Sequence, residues 1–365
     1  MDILELAVPQ VEVFRTAIGD RRERQALYVQ LHTTDGAWGI GECSCRPDPW
    51  FNGEFVAGAR AVLRDFVAPL LAQATTVGDV VDALRRLRGW PFTAAAVLDA
   101  LMDLERRQGR QDLLDVWPHE RLDRVPVGIS LGLFPDADSA VERVARVVAE
   151  GYHRVKMKIA PTMDLEPLRA VRRRFPDLHL GFDANGSCGE ASFPFLTALA
   201  ALDPSVVEQP FAPDRLDLCQ ELRRRLPSLR VCLDESVDGL GRLVSAHRLG
   251  ALDEVNVKPG RVGGPFETFR ILAWCREQGL PAWVGGMFET GIGRLANLRV
   301  AARLPSATAH DLSPSRRYFS TDVLSQPLDM GDDGAIDLRG EAPPELDAAN
   351  LKALEVDHLA IPLNA

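Results

Sequence analysis

A chain of 365 residues with 46% hydrophobic and 26% charged residues can bury a large core, and its length suits two domains or one barrel with an accessory domain. The 42 basic and 52 acidic residues leave a net charge of −10, and no block of lysine and arginine forms a stripe, which argues against a nucleic-acid partner. No apolar run reaches the roughly 18 residues of a membrane span, and the opening MDILELAVPQ has no basic signal-peptide region, so a cytoplasmic protein with no membrane partner is expected.

Residues 1–122 read as an α+β module. ALYVQLHTTDGAWGIGECS is two alternating runs joined by TTDG, a hairpin signal. GARAVLRDFVAPLLAQ and VGDVVDALRRL follow with apolar residues at helical spacing. Between hairpin and helices, the stretch near 45–55 sets Trp50 and Phe51 among Pro and Gly. That composition fits a lid over a site or simple packing against a rim. The six cysteines are scattered and lack zinc-finger spacing, so free buried thiols are the better reading.

From 123 to 325 the texture changes. Eight short apolar or alternating runs, VPVGIS, HRVKMKI, LHLGFDAN, SVVEQP, RVCLDES, EVNVKPG, PAWVGG and SATAHDL, alternate with helical patterns, as a β/α barrel requires. The intervals from Lys158 through Asp183, Glu208, Asp234 and Lys258 to Gly285 are 25, 25, 26, 24 and 27 residues. Residues 326–365 are expected to return and pack on the first module, with Lys352 on a helix surface in no special role.

Active sites of parallel barrels lie at the C-terminal ends of the strands. Five successive runs carry ionisable residues there: Lys156 with Lys158, then Asp183, Glu208, Asp234 and Lys258. Each acid alone could cap the helix that follows it. Three in register, flanked by lysines, point instead to a hard cation held by oxygen ligands, magnesium first and manganese second.

The choice of lysine is informative, because only four of the 42 basic residues are lysine and three of them sit here. Arginine stays charged in a protein, whereas a lysine amine can act as a base. On a strand, 156 and 158 face the same way, and such a like-charge pair makes one proton easier to lose. Lys258 stands beyond the acids. The arrangement suits proton removal beside a carboxylate. GGMFETGIGR, 285–294, is glycine-rich and opens a helix; its amides could bind an anion, or its glycines could only let a turn close.

The segments VGISLG, VKMKIAP, FDANG, VEQPF, CLDES, NVKPGRVGG, GGMFETGIGR and SRRYF resemble the enolase superfamily, in its muconate-lactonising-enzyme-like subgroup. Within it the chain is most similar to o-succinylbenzoate synthases and N-succinylamino acid (N-acylamino acid) racemases. The resemblance implies an α/β fold: a modified TIM (β/α)7β-type barrel with an N-terminal α+β capping domain that the C-terminal segment completes. It implies that Asp183, Glu208 and Asp234 ligate magnesium, with manganese a substitute. Lys158 and Lys258 would face the substrate from opposite sides, and Lys156 would assist Lys158. Asn185, Glu235 and Asn256 would support the metal site, and Ser130, Arg261, Gly286, Met287 and Phe51 would contact the substrate.

Two activities use these residues: racemisation of N-acyl (N-succinyl) amino acids, and dehydration to o-succinylbenzoate. One protein could have both. Arg261, after KPG, resembles the racemase-type members. An inactive binding barrel is a remote third reading, since no ligand or lysine is missing. A mandelate-racemase-like site would show histidine on strand six or seven, and a dipeptide epimerase would show an acidic pair where this chain has only Asp311. The partner implied is a small-molecule carboxylate, and the family leaves room for a homo-oligomer. The N-terminal module departs most from the family, with Glu54 its clearest match, and this affects substrate choice more than chemistry.

Overall fold

The computed structural model describes residues 1–16, 19–117, 121–304 and 308–363. Strands β1 (Asp2–Thr16), β2 (Gly19–His32) and β3 (Trp38–Cys43) form an antiparallel sheet. The hairpin expected at TTDG is present. Strands β2 and β3 pair from Leu27↔Cys43 to His32↔Trp38, and Thr33 N donates to Ala37 O at 2.9 Å across the turn.

The buried face of this sheet receives the helix Pro91–Arg107, whose apolar residues are almost all buried. Its seat explains the alternating glycines of WGIGEC. A Cβ on Gly39 would stand 2.2 Å from Leu104 N, and one on Gly41 would stand 2.1 Å from Ala96 O. Any side chain there would push helix and sheet apart, so the glycines serve packing rather than the turn.

A short strand β4 (Arg124–Pro126) leads into the parallel sheet of β5 (Ile129–Leu131), β6 (Arg154–Lys158), β7 (His179–Asp183), β8 (Val207–Glu208), β9 (Val231–Leu233), β10 (Glu254–Val257) and β11 (Ala282–Val284). The seven strands lie side by side in sequence order. The eighth run contributes single bridges rather than a strand. His310 bridges Val127, and Asp311 bridges Gly285. His310 N donates to Pro126 O at 2.9 Å and Asp311 N to Val284 O at 3.0 Å, so the last stave reaches both edges of the sheet. Residues 306–307 of that run lie outside the described residues.

The core of this half lies between the strands and the surrounding helices, with Val155, Met157, Phe182, Val207 and Val255 fully buried. Strand β12 (Ala335–Asp337) pairs with β4. Strand β13 (Glu355–Ala360) pairs antiparallel with β1, from Asp2↔Ala360 to Leu6↔Glu355, so the chain's end completes the N-terminal sheet as expected. Lys352 is exposed on the helix Ala348–Leu354. All six cysteines are buried and unpaired.

Candidate active site

Sheet register puts the charges in one row. Lys158 pairs across with Asp183, and Asp183 with Glu208. Asp234 directly follows β9 and Lys258 directly follows β10. Met157 turns outward into the helix-packed core, whereas Lys156 and Lys158 open into a cavity at the strand ends, as the two-residue period requires.

Lys156 is only 3% exposed. Its Nζ stands 2.8 Å from both oxygens of Glu208, 2.8 Å from Asp311 Oδ2 and 3.2 Å from Asp183 Oδ2. Burial pulls the amine's pKa down, but Asp311, Glu208 and Asp183 outweigh it and hold it well above the ordinary lysine range. The carboxylates around Lys156 thus outweigh the like-charge effect expected from Lys158.

Lys158 Nζ donates to Asp183 Oδ2 at 2.7 Å and to Asn185 Oδ1 at 2.5 Å. Lys258 Nζ donates to Asp234 Oδ2 at 2.8 Å. The other oxygen of Asp234 accepts from Arg261. Full burial works against the ionised Asp234, yet Arg261, Lys258 and Lys156 keep its carboxyl well below the usual range. Glu208 goes the other way. Burial pushes its carboxyl up even beside Lys156, and the negative charges of Asp183 and Asp234 push it further.

The supporting residues are where the sequence puts them. Asn185 adopts a left-handed backbone, φ 45°, and its Nδ2 donates to Glu235 Oε1 at 2.9 Å. Asn256 Nδ2 donates to Glu208 Oε1 at 3.1 Å. Ser130, Phe51, Gly286 and Met287 line the cavity beside the three lysines. Arg261 departs from expectation. It is 4% exposed, donates to Val237 O at 3.0 Å and Asn256 O at 2.8 Å, and is absent from the cavity wall. Its guanidinium is used inside the protein, steering Asp234.

The glycine-rich GGMFETGIGR also resolves against its anion-binding reading. Thr290 N, just before the helix Gly291–Ala301, and Gly293 N within it already donate to the Glu42 carboxylate, at 3.0 and 3.1 Å, and Gly291 N donates to Asp322 at 2.9 Å. The anion at this helix start is the protein's own, reached from β3. Glu54 does the same for Pro91–Arg107, accepting from Phe92 N at 2.9 Å and Thr93 N at 2.6 Å. In the 45–55 stretch Phe51 faces the cavity, while Trp50 is 73% exposed.

Gln209 and the bonding role of Asp311 were missed in the sequence. Gln209, held at φ 36°, accepts from Asp234 N and Ser236 N, each at 3.0 Å, and so ties the end of β8 to the loop after β9. Nothing in VEQPF marks it. Asp311 accepts from Ser130 Oγ at 2.8 Å as well as from Lys156. Its place at the end of the eighth run was the available signal.

Residues 139–342 match the enolase C-terminal domain-like family. The chain belongs to the enolase superfamily. It is 36% identical to an N-succinylamino acid racemase from Amycolatopsis over 88% of each chain. It is 32% identical to an o-succinylbenzoate synthase from Enterococcus faecalis, over 90% of this chain and 89% of that protein. A solved structure described as a probable mandelate racemase from Alicyclobacillus acidocaldarius is 36% identical, with a TM-score of 0.89 over 98% of this chain and 96% of that one. The curled parallel sheet and separate antiparallel sheet are thus the superfamily's barrel and cap.

Superfamily members use a divalent metal. Among the described residues no three His, Cys, Asp or Glu side chains stand close enough to ligate one ion; Lys156 lies between Asp183 and Glu208, and Lys258 and Arg261 pair with Asp234. The donor chemistry nevertheless fits a hard cation. Three fully buried carboxylates end adjacent strands, and two further buried oxygens, Glu235 Oε2 and Asn256 Oδ1, have no hydrogen-bond partner among the described residues.

Proposed function

We propose that the protein removes and returns the proton α to a carboxylate, and that its principal activity is racemisation of N-acyl, above all N-succinyl, amino acids. One observation carries this reading. Lys158 and Lys258 open into one cavity from β6 and β10, which are separated by the three strands that bear the carboxylates. The two amines therefore approach from opposite sides of the carboxylate row, as exchange of a proton between the two faces of one carbon demands.

Asp183, Glu208 and Asp234 would hold a magnesium ion, or manganese in its place, and the ion when bound supplies positive charge to the substrate's carboxylate. Lys158 takes the α-proton from one face, and Lys258 delivers one to the other. Lys156, kept charged by its carboxylates, offsets the negative charge that builds on the substrate carboxylate. Asn185 orients the Lys158 amine, and Arg261 with Gln209 fixes the side chain and backbone of Asp234. The cavity wall of Phe51, Met287 and Phe288 limits access of water to the carbanion.

The identity to the synthase sustains a second reading, dehydration of a cyclohexene acid to o-succinylbenzoate, in which Lys158 is the base and Lys258 remains a charged stabiliser. We assign residues 1–122 and 326–365 to the cap and 123–325 to the barrel, as supported by the pairing of β13 with β1. Six unpaired buried thiols support a place in the reducing cytoplasm.

Incubation with N-succinyl amino acids and magnesium in deuterated water, followed by optical rotation and the α-proton signal, tests the proposal. Racemisation with exchange is expected. Turnover of the cyclohexene acid without exchange would transfer the assignment to the synthase reading, and inactivity on both without magnesium binding would sink both.

A further inference from the structure

A separate cavity of about 240 Å³ lies between the cap strand β1 and the barrel loop that follows β5. Three arginines reach it: Arg143 and Arg146 from the helix Ala137–Ala149, and Arg317 from the SRRYF segment. None of them lines the catalytic cavity. Among the described residues Tyr318 alone lines both cavities.

The side chains of Arg143 and Arg317 are mostly buried, 18% and 13% exposed. A guanidinium has five N–H donors, yet among the described residues neither side chain makes a hydrogen bond. They share one ion-pair partner. Glu12 Oε2 stands 3.7 Å from Arg143 and 3.9 Å from Arg317, beyond hydrogen-bond reach, and its side chain is 62% exposed, where solvent weakens the pairing. Arg317 also faces the Tyr318 ring, 5.9 Å from its centroid. Burial lowers the pKa of the Arg143 guanidinium and the charge of Arg317 lowers it further, with Glu12 pulling the other way. Other buried arginines are better served: Arg261, Arg299 and Arg303 each donate to an acceptor within 3.0 Å. Two largely desolvated cations drawn to one distant carboxylate favour a further anion.

We propose that this cavity is a second ligand site, which binds a small monocarboxylic acid with a short apolar body. The carboxylate goes to the forks of Arg143 and Arg317, whose paired donors match its two oxygens. The body lies against Leu131, Leu133, Phe134 and Pro135, which supply the apolar wall. Charge selects the monoanion. Glu142 answers Arg146 at 3.1 Å and Glu12 answers one of the other two arginines, so one positive charge is left over. A phosphate dianion would overfill that surplus and meet Glu12 as a like charge. The site stands apart from both the racemase and the synthase reading, because no lysine or carboxylate of the barrel floor belongs to it.

Titration calorimetry of the full chain with benzoate tests the proposal, with benzamide as the neutral analogue and inorganic phosphate as an anion without an apolar body. Benzoate is expected to bind, and the other two at least tenfold more weakly. Arg143→Met and Arg317→Met should each weaken benzoate at least tenfold, and Arg143→Lys should keep part of the affinity. Glu12→Gln removes the carboxylate that competes for the two forks and should tighten benzoate severalfold, a gain that misfolding cannot imitate. Neither arginine lines the catalytic cavity, so heat from benzoate entering there would survive both Met variants and count against the proposal. No benzoate binding in the wild type, binding unchanged in both Met variants, or phosphate bound as tightly as benzoate overturns it.

Discussion

The barrel floor and the cap handle charge in opposite ways. On the floor, amines and carboxylates lie within 2.7–3.2 Å of one another near the strand ends, with only Lys158 partly exposed. In the cap, the buried carboxylates Glu42 and Glu54 are spent on the starts of helices Gly291–Ala301 and Pro91–Arg107. Arg24, 3.9 Å from Glu42, donates to the backbone oxygens of Cys45 and Cys43. The carboxylates of the cap serve structure: Glu42 ties β3 to the helix Gly291–Ala301, and Glu54 caps Pro91–Arg107 within the cap itself. Under the function proposed above, chemistry belongs to the floor, and the cap's carboxylates belong to the fold.

The largest effect should come from removing one amine. Lys258→Ala is expected to lower racemisation by roughly 10²–10⁴-fold, and Lys158→Ala similarly; exchange of the α-proton in deuterated water reads both. If Lys258→Ala still racemises at the wild-type rate, the two-sided floor is wrong. Chelation of divalent metal should likewise abolish turnover, with magnesium, and then manganese, restoring it.

A smaller effect is expected at the seam between the two regions. Glu42→Ala strips an acceptor from the amides of Thr290 and Gly293 and should cost about 1–3 kcal/mol in urea unfolding. Glu42 also gives a pH signature. Burial raises its carboxyl from the usual 4.5 to about 7, against the pull of Arg24. A raised folded-state pKa means that the folded protein holds the proton more tightly than the unfolded chain. Its contribution is then complete below pH 4.5 and lost as the pH rises through about 7. Stability measured between pH 5 and 7 should therefore fall less steeply for Glu42→Gln than for the wild type.

Gly260→Ala probes the same seam by packing. The new methyl would stand 2.6 Å from Ser44 Oγ and 2.9 Å from the Phe92 ring, and should destabilise by about 1–3 kcal/mol. The smallest effect belongs to the fourth lysine. Lys352→Ala should leave activity unchanged and stability within about 0.5 kcal/mol, because the side chain is exposed far from the floor row in both role and element.

Much of the floor was legible before any fold was known. The 24–27-residue interval, the two-residue strand period and the scarcity of lysine located Lys156, Lys158, Asp183, Glu208, Asp234 and Lys258. Those are local properties: a period tells which face a side chain takes, and a strand end tells which mouth it meets. Arg261 shows the complementary limit. Its position after KPG is close to the site in sequence, but its side chain turns inward to Asp234, Val237 and Asn256, and no local pattern records that direction.

By itself, then, the sequence determined the barrel, the row of acids and the lysines on either side, because strand periodicity and the chemistry of proton exchange both act over a few residues. Only the tertiary structure decided that Glu42 fills the helix start 248 residues away, that Gln209 braces Asp234 and that Arg24 roofs the cavity. Each of these depends on how distant segments meet, and a buried charge reveals its task only when the identity of its neighbours, or the lack of one, is known.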